Sequence, residues 1–338
     1  MNRRFRTILQ YVFFFSLGFL FVWLSIKDVG PLERVQIRFA LNNARYFLAL
    51  PVFMILLLSH YVRAMRWRLL IESIGYKPSK ANTFFAVMIG YIVNQAVIRL
   101  GEVLKCTVLA RYEKVPADKL VGTIILERLV DAICLVIVFV ITIIIQPTLY
   151  DELVDKIFNS RETDESKKIP GYLVLLIVSG IVLLIIALWM IIKKKNFNDL
   201  VNAIKKIAKR VWEGISAIRH LKKRGQFILY TLLMWTLYLG GGYIGFYALQ
   251  ETEHYGIREA FAVLSAGSIG MTITPGGIGG YAFLLEQTMQ IYGLSQGVAL
   301  AFGWLLWLAN TSVIIIGGLI SFVALPWYNK NKLRQSAL

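Results

Sequence analysis

Three charged residues stand within an apolar stretch of this sequence, at spacings that let them act together. Glu127 and Asp131 are four residues apart, so a helix places both carboxylates on one face, with Arg128 beside them. If the helix begins near Leu120, Glu127 lies roughly 10 Å along it, at about 1.5 Å per residue. A charge this deep in an apolar helix is costly and usually faces a cavity or an opposite charge.

A second polar segment precedes this helix and follows an apolar half-helix. It contains Asn94, Gln95, Arg99, Glu102 and Lys105. Arg99 and Glu102 are three residues apart and can share a helical face. One interpretation is a structural ion-pair network that ties two helices together. The other is a cationic cavity in which Arg99, Lys105 or Arg128 binds a phosphate while the carboxylates hold the cations in place.

The stretch from 272 to 280 offers polar backbone instead of polar side chains. Pro275 breaks the helical hydrogen-bond ladder, and four glycines weaken it further: Gly276, Gly277, Gly279 and Gly280. Residues 283–290, which include Glu286, are predicted to be helical. The N–H groups at the start of that helix could bind an anion. Alternatively, the glycines provide a close helix-packing surface.

The chain is far too apolar for a soluble protein of its length. Of its 338 residues, 57% are hydrophobic, and the mean hydropathy is +0.62. Several apolar runs reach the roughly 20 residues that cross a bilayer, so we expect one all-α, polytopic integral membrane domain over 1–338. The net charge of +17 comes from Lys and Arg between the apolar runs. That pattern is typical of membrane topology and contact with anionic lipid rather than nucleic acid.

Cysteine and histidine are sparse. Cys106 and Cys134 lie in apolar or membrane-proximal stretches, and the three histidines are far apart. Because this usage matches neither a disulfide framework nor a metal-ligand spacing, we expect no metal and no cofactor.

Six complete membrane spans and two less regular segments are predicted. The spans cover about 7–26, 45–62, 120–146, 171–192, 226–249 and 296–325. The irregular segments, 81–113 and 259–292, each enter and leave by the same face, so each is a re-entrant loop or a pair of helices. Residues 193–225 carry eleven basic and two acidic side chains, whereas 147–170 carry six acidic and four basic ones. The positive-inside rule therefore places 193–225 and both termini in the cytoplasm.

The two irregular segments align with each other. A shift of 176 residues places 85–90 on 261–266. One segment begins on the cytoplasmic side and the other outside, so units of about 81–146 and 259–325 are predicted to form an inverted repeat. This symmetry permits alternating access, in which one half moves against the other around a hydrated pocket.

Two basic segments are interpreted as membrane anchors. Within 193–225, apolar residues recur at helical spacing with lysines off that stripe, which predicts an amphipathic helix lying on the cytoplasmic leaflet. Its expected role is to set depth, with a regulatory role as the alternative. Arg63, Arg66 and Trp67 form a basic-aromatic patch, interpreted as an anchor at the cytoplasmic interface rather than as a site.

Four motifs occur in an order and at spacings that resemble a known family. They are Arg66-Trp67, Asn94 with Arg99-Leu100-Gly101-Glu102, Glu127-Arg128-x-x-Asp131 and Pro275-Gly276-Gly277-Ile278-Gly279. Over about 5–325 the chain is similar to the flippase-like membrane family related to the transmembrane region of lysylphosphatidylglycerol synthetase. The resemblance implies a bacterial or archaeal inner-membrane protein that moves aminoacylated or glycosylated lipids between leaflets. Family members often carry Glu shortly after the Pro-Gly-Gly-x-Gly turn, where this chain has Tyr281-Ala282, and Glu286 is the expected substitute.

Lipid translocation is the function that these features predict. The candidate substrate-binding residues are Asn94, Arg99, Glu102, Lys105, Glu127, Arg128, Asp131, Pro275, Gly276, Gly277, Gly279 and Glu286. The expected ligand is an anionic phospholipid or a glycolipid, and a homo-oligomer is left open. The longest predicted non-membrane segment has only about 33 residues. The soluble aminoacyl-transfer domain of the full synthetase is therefore expected to be absent, and the protein is not expected to be an enzyme.

Two other functions fit the same charges. A polytopic transferase acting on polyprenyl phosphate or phospholipid would use Glu127 or Asp131 as a base or metal ligand. A secondary transporter of a small solute would couple protons through Glu102 or Asp131. Metal-dependent product formation would indicate the first, and pH-dependent uptake that ignores lipid composition would indicate the second.

Overall fold

The computed structural model describes residues 3–97, 100–149, 152, 205 and 221–335, without the side chains of 3–14 and 331–335. The regular elements in these ranges are helices, as predicted. They are α1 (Arg3–Ile26), α2 (Pro31–Asn42), α3 (Ala49–Ser73), α4 (Lys80–Ala96), α5 (Leu100–Glu113), α6 (Ala117–Ile145), α7 (Arg224–Phe246), α8 (Ile257–Ile273), α9 (Gly280–Ile291) and α10 (Gln296–Gln335). Short 3-10 turns cover Tyr46–Leu48, Gln250–Thr252 and Pro275–Gly277.

The chain divides into two compact units. Residues 1–142 and 222–338 form the first, and 143–221 form the second. The predicted span 171–192 and nearly all of the predicted linker helix 193–225 lie outside the described residues. Apart from residues 143–145 at the end of α6, helices α1 to α10 belong to the first unit.

Four described helical stretches are long and apolar enough to cross a membrane. They are Tyr46–Ser73, Ala117–Ile145, Arg224–Phe246 and Gln296–Lys330, and the bent pair Phe15–Ile26 and Pro31–Asn42 brings the number to five if it counts as one span. The four stretches agree with the predicted spans at 45–62, 120–146, 226–249 and 296–325. The predicted span 7–26 lies within α1, and its crossing of the membrane stays a prediction. The end of the second predicted span is wrong. The helix continues from 62 to Ser73 because its charged residues pair inside the protein.

The segment 81–113 is a pair of antiparallel helices. Asn82 at the start of α4 donates from Nδ2 to Glu113 Oε1 at the end of α5, at 2.6 Å. Close to the turn, a Cβ on Gly101 would overlap the carbonyl oxygen of Gly90. The Asn94 side-chain oxygen accepts from the Gly101 backbone N–H at 2.8 Å. The two backbones approach this closely because neither facing residue has a side chain.

The segment 259–292 has the same form. Tyr255, just before α8, donates from its hydroxyl to the carbonyl oxygen of Tyr292, just after α9, at 3.0 Å. A Cβ on Gly270 would lie 2.6 Å from the Tyr281 Cα. The four helices of these two hairpins have 17, 14, 17 and 12 residues. Each is shorter than the roughly 20 residues that cross a hydrocarbon core.

The order of elements recurs along the chain. A long helix, a two-helix hairpin and a second long helix follow one another in α3–α6 and again in α7–α10. Both α4 and α8 have 17 residues. The first and last residues of α8, Ile257 and Ile273, each follow the first and last residues of α4, Lys80 and Ala96, by 177 positions. The recurring order begins with α3 and α7, earlier than the predicted units at 81 and 259.

Apolar side chains occupy both the core and the outer surface. The rings of Phe246 and Phe302 stack at 5.4 Å in a buried cluster shared by α7, α9 and α10. Large apolar side chains also face outward, among them Phe19, Leu232 and Val323. So much exposed apolar surface is what a bilayer solvates, since soluble monomers rarely expose contiguous patches of this kind.

Candidate functional site

The Glu127 carboxylate is the centre of a buried group of charges. Its side chain is completely buried, and Lys105 Nζ donates to Glu127 Oε2 at 2.8 Å. Arg63 Nη1 and Arg66 Nη2 each lie 3.8 Å from Glu127 Oε1. Helices α3, α5 and α6 are therefore tied together at one carboxylate.

Asp131, one turn further along α6, completes a second layer of ion pairs. Arg63 Nη1 donates to one carboxylate oxygen at 2.8 Å, and Arg66 Nη2 donates to the other at 2.5 Å. Carboxylates four residues apart on α6 thus face arginines three residues apart on α3. Both spacings place side chains on one face of a helix, so two matched faces meet.

The interpretation of Arg63, Arg66 and Trp67 as an interfacial anchor is wrong. Arg66 and Trp67 are fully buried and Arg63 is nearly so, because the carboxylates of Glu127 and Asp131 draw the guanidinium groups inward. The spacing of the two arginines in the sequence could have indicated that they are buried. Two arginines three residues apart in an apolar run require a partner, as the paired carboxylates of α6 do.

Aromatic rings surround the cations. Lys105 Nζ lies 4.6 Å from the centre of the Trp67 ring, and the Trp67 indole N–H donates to Thr123 Oγ1 at 2.9 Å. Arg63 lies between two tyrosine rings, at 5.7 Å from Tyr91 and 5.9 Å from Tyr238. Such contacts attract a cation to the ring face, and they are strongest where water is excluded.

The end of the site at Arg128 is partly exposed. Arg128 Nε lies 2.9 Å from Glu102 Oε1, and the two side chains are 37% and 28% exposed. Arg128 Nη1 also lies 3.9 Å from Asp131 Oδ2, which joins this pair to the buried layer. The Arg128 end is thus partly accessible, whereas the Glu127 end is filled by protein. The hydrated pocket stays a prediction.

We call these seven side chains the charge cluster. They are Arg63, Arg66, Glu102, Lys105, Glu127, Arg128 and Asp131. Four cations and three carboxylates leave a net charge of +1. Nε and Nη1 of Arg66 and Oε1 of Glu127 are buried without a hydrogen-bond partner among the described residues. Both donors and an acceptor of the buried layer are therefore only partly satisfied within the cluster.

The glycine loop, defined as Pro275–Gly279, is a tight packing surface. Gly276, Gly277 and Gly279 have φ angles of 58°, 72° and 71°, the left-handed region that favours glycine. The Trp307 indole N–H donates to the Gly276 carbonyl at 2.9 Å. A Cβ on Gly276 would overlap Gln95 Oε1, and one on Gly279 would lie 2.5 Å from the carbonyl oxygen of Gly18. The contacts match the packing alternative, and they bring the break between α8 and α9 against the end of α4.

The amino-acid sequence matches a family of known membrane proteins. The family model described as the lysylphosphatidylglycerol synthase TM region matches residues 8–327. The chain belongs to this family. It is also similar to the UPF0104 membrane protein MJ1595 of Methanocaldococcus jannaschii, with 24% identity over 118 residues, which is 34% of this chain and 34% of that protein. The match thus spans about a third of the relative's length. No solved structure is significantly similar to the chain.

Membership in the lysylphosphatidylglycerol synthase TM region family makes this a helical membrane protein with several spans. The family's name contains the word synthase, but the part that matches is the membrane region. Among the described residues, no group of three or more His, Cys, Asp or Glu side chains is placed to hold a metal ion.

The described site residues of the prediction are placed in four locations. Glu102, Lys105, Glu127, Arg128 and Asp131 come together in the charge cluster. Asn94 caps the turn of the first hairpin, and Pro275, Gly276, Gly277 and Gly279 form the glycine loop. Glu286 is buried on α9, where Oε1 accepts from Gln290 at 3.2 Å and from Gln296 at 3.4 Å. Arg99 lies outside the described residues.

Proposed function

We propose that this protein moves a polar-headed phospholipid or glycolipid between the leaflets of the bacterial or archaeal cell membrane. The observation that carries this proposal is the Arg128–Glu102 pair, a partly exposed ion pair attached to a buried charge cluster. A lipid phosphate needs a cation that it can reach without leaving a buried charge unpaired. Arg128 meets that need, because Asp131 and Glu102 hold it in position.

The depth of the cluster supports the proposal. Arg63 and Arg66 precede the end of α3 at Ser73 by ten and seven residues, and Glu127 follows the start of α6 at Ala117 by ten. At about 1.5 Å per residue, the cluster lies roughly 10–15 Å from these helix ends. The positive-inside rule assigns both ends to the cytoplasm. A head group bound at Arg128 would thus have left cytoplasmic water and entered the membrane.

The binding step we propose is an exchange of partners at Arg128. The guanidinium group offers five N–H donors in a planar fork, which matches two phosphate oxygens. Glu102 swings aside when the phosphate binds, and its exposure lets water solvate it. Lys105 stays with Glu127, because a buried cation that lost this carboxylate would be left without a counter-charge.

The recurring element order supports alternating access as the transport step. Under the positive-inside assignment, the α4–α5 hairpin starts from the cytoplasmic face and the α8–α9 hairpin from the outer face. The two halves are then related by inversion, with re-entrant hairpins whose turns meet where Gln95 contacts Gly276. Movement of one half against the other around this contact would expose the cluster to each leaflet in turn.

Leaflet transfer in proteoliposomes tests this function. We expect wild-type protein to move a fluorescent phospholipid faster than protein-free vesicles do. Arg128→Ala should slow transfer about ten-fold, because a charge-assisted hydrogen bond contributes about 1.5 kcal/mol. Arg45→Ala is the matched control, since Arg45 also has one close carboxylate partner, Glu253 at 2.7 Å, and is 36% exposed.

Two results would contradict the proposal. Wild-type transfer equal to that of empty vesicles would remove the function itself. Equal transfer by wild type, Arg128→Ala and Arg45→Ala would leave translocation standing and remove Arg128 from head-group binding.

A further inference from the structure

Helix α2 is roughly perpendicular to α1, the helix that precedes it. The described part of α1, Phe15–Ile26, and α2 are bent by 100° relative to each other. The bend is well defined, since the Gly30 N–H donates to Glu33 Oε2 at 2.8 Å and Pro31 starts the new helix. The sequence predicts α1 as a membrane span, and a helix bent by 100° from a span lies close to the plane of the bilayer.

One face of α2 packs on the protein. Ala40 is buried, and Gln36 Oε1 accepts from the Gly297 N–H at 3.3 Å. A Cβ on Gly297 would lie 2.6 Å from the Glu33 carbonyl oxygen. The helix is therefore seated firmly against the first turn of α10.

Another face of α2 is apolar and exposed. Leu32, Val35 and Phe39 each expose more than half of their surface. At about 100° per residue, these three side chains fall within an arc of roughly 60°. The exposed apolar surface continues beyond the helix at Tyr46 and Phe47, which are aromatic residues of the type enriched at membrane interfaces.

Two arginines form a separate exposed edge. Arg34 and Arg38 are four residues apart and both exposed, so they point in nearly the same direction. On the same helical projection, this edge lies about 110° from the centre of the apolar arc. A helix lying at a bilayer surface needs this arrangement, with one side toward acyl chains and the neighbouring side toward head groups.

We propose that α2 is an interfacial helix whose lipid partner is an anionic phospholipid. Leu32, Val35 and Phe39 insert among the acyl chains, and Arg34 and Arg38 bind lipid phosphates. The positive-inside assignment of α1 places this surface at the outer leaflet, opposite to the charge cluster. The proposal requires membrane insertion but does not depend on lipid transfer, so either can fail alone.

Spin labels test where the apolar face lies. In full-length Cys106→Ala, Cys134→Ala protein in vesicles of phosphatidylglycerol and phosphatidylcholine, nitroxides are attached to Phe39→Cys and, as control, to Asp28→Cys in the exposed turn. The ratio of collisions with oxygen to collisions with a water-soluble nickel chelate should be about five-fold or more higher at position 39, since oxygen concentrates among acyl chains.

Two collision patterns would overturn the assignment. Equal ratios at 28 and 39 would mean that the face is in water. Low collision rates with both reagents at 39 would mean that a second copy or another protein covers it.

Lipid selectivity tests the arginine edge. Phosphatidylglycerol and phosphatidylcholine are each spin-labelled on an acyl chain. The fraction of each lipid that is motionally restricted in the electron spin resonance spectrum measures how strongly it associates with the protein. Replacing both Arg34 and Arg38 with Gln should lower the relative association of phosphatidylglycerol about two-fold, and high salt should lower the wild-type value similarly. Arg258→Gln, which removes an exposed arginine at the start of α8, should have little effect. An equal decrease in both variants would contradict phosphate binding by α2.

Discussion

At Glu127, three cationic side chains approach one buried carboxylate. Lys105 Nζ lies at 2.8 Å, and Arg63 and Arg66 each lie at 3.8 Å. Removing these groups from water is costly, and their mutual attraction offsets that cost only while all partners remain. In the function we propose, the buried layer of the cluster positions Arg128, and the partly exposed pair of Arg128 and Glu102 changes partners.

Loss of the Glu127 charge should lower folding stability, because its main role is to pair with buried cations. Glu127→Gln leaves Lys105 buried without its carboxylate, so we expect a loss of about 3 kcal/mol or more in the free energy of unfolding. Adding Lys105→Met should recover part of that loss, because the unpaired cation is then gone. Thermal unfolding in detergent, followed through reaction of the buried Cys106 thiol, measures both.

A carboxylate in an exposed pair provides the control. Glu253→Gln removes the partner of Arg45 at the surface, and exposed pairs contribute about 0–1 kcal/mol. If Glu127→Gln is no more destabilising than Glu253→Gln, the buried layer does not depend on its ion pairs.

The two hairpins carry their backbone breaks at the same place in each half of the fold. In the first, Asn94 and the Gly90–Gly101 contact hold α4 against α5. In the second, the glycine loop turns between α8 and α9 with three left-handed glycines. Irregular backbone at membrane depth is tolerated where it is buried in protein or lines a wet cavity. Here the contact of Gln95 with Gly276 brings the end of α4 against the glycine loop.

Substitution at Gly276 separates the contact from the backbone conformation. Gly276→Ala introduces a left-handed alanine and a Cβ that overlaps Gln95 Oε1, whereas Gly293→Ala introduces a left-handed alanine, at φ 84°, with open space around it. Both should lose about 1–2 kcal/mol from backbone strain. Gly276→Ala should lose about 1–3 kcal/mol more through overpacking. Thermal unfolding in detergent measures the difference, and equal losses would mean that the hairpin turns do not need their close contact.

At the scale of the molecule, the order of the helices recurs but the charges do not. Helix α6 carries Glu127, Arg128 and Asp131, whereas residues 296–325 of the corresponding helix α10 contain no charged side chain. The partners on α3, Arg63 and Arg66, likewise have no charged counterparts within 226–246 of α7. The head-group site we propose therefore belongs to one half, and the glycine loop of the other half supplies close packing.

Membrane orientation gives a prediction for the whole molecule. The positive-inside rule places the α3–α4 connection in the cytoplasm and the α7–α8 connection outside. In cells expressing single-cysteine variants, an impermeant maleimide should label Glu251→Cys in intact cells and Lys77→Cys only after the cells are opened. Labelling of both positions in intact cells would contradict the assignment and, with it, the placement of the cluster near the cytoplasm.

The sequence by itself determined the helical membrane class, the positions of four candidate spans, the two hairpin segments and the matched carboxylates of α6. These follow from composition, helical spacing and Pro–Gly breaks, which are properties of neighbouring residues. Only the tertiary structure decided which cations meet those carboxylates. Arg63 and Arg66 pair with Asp131 across 68 and 65 residues of chain, and α3 appears beside α6 only when the bundle is packed. The sequence shows that a charge in an apolar helix needs a partner, but the packing of the helices determines which residue that partner is.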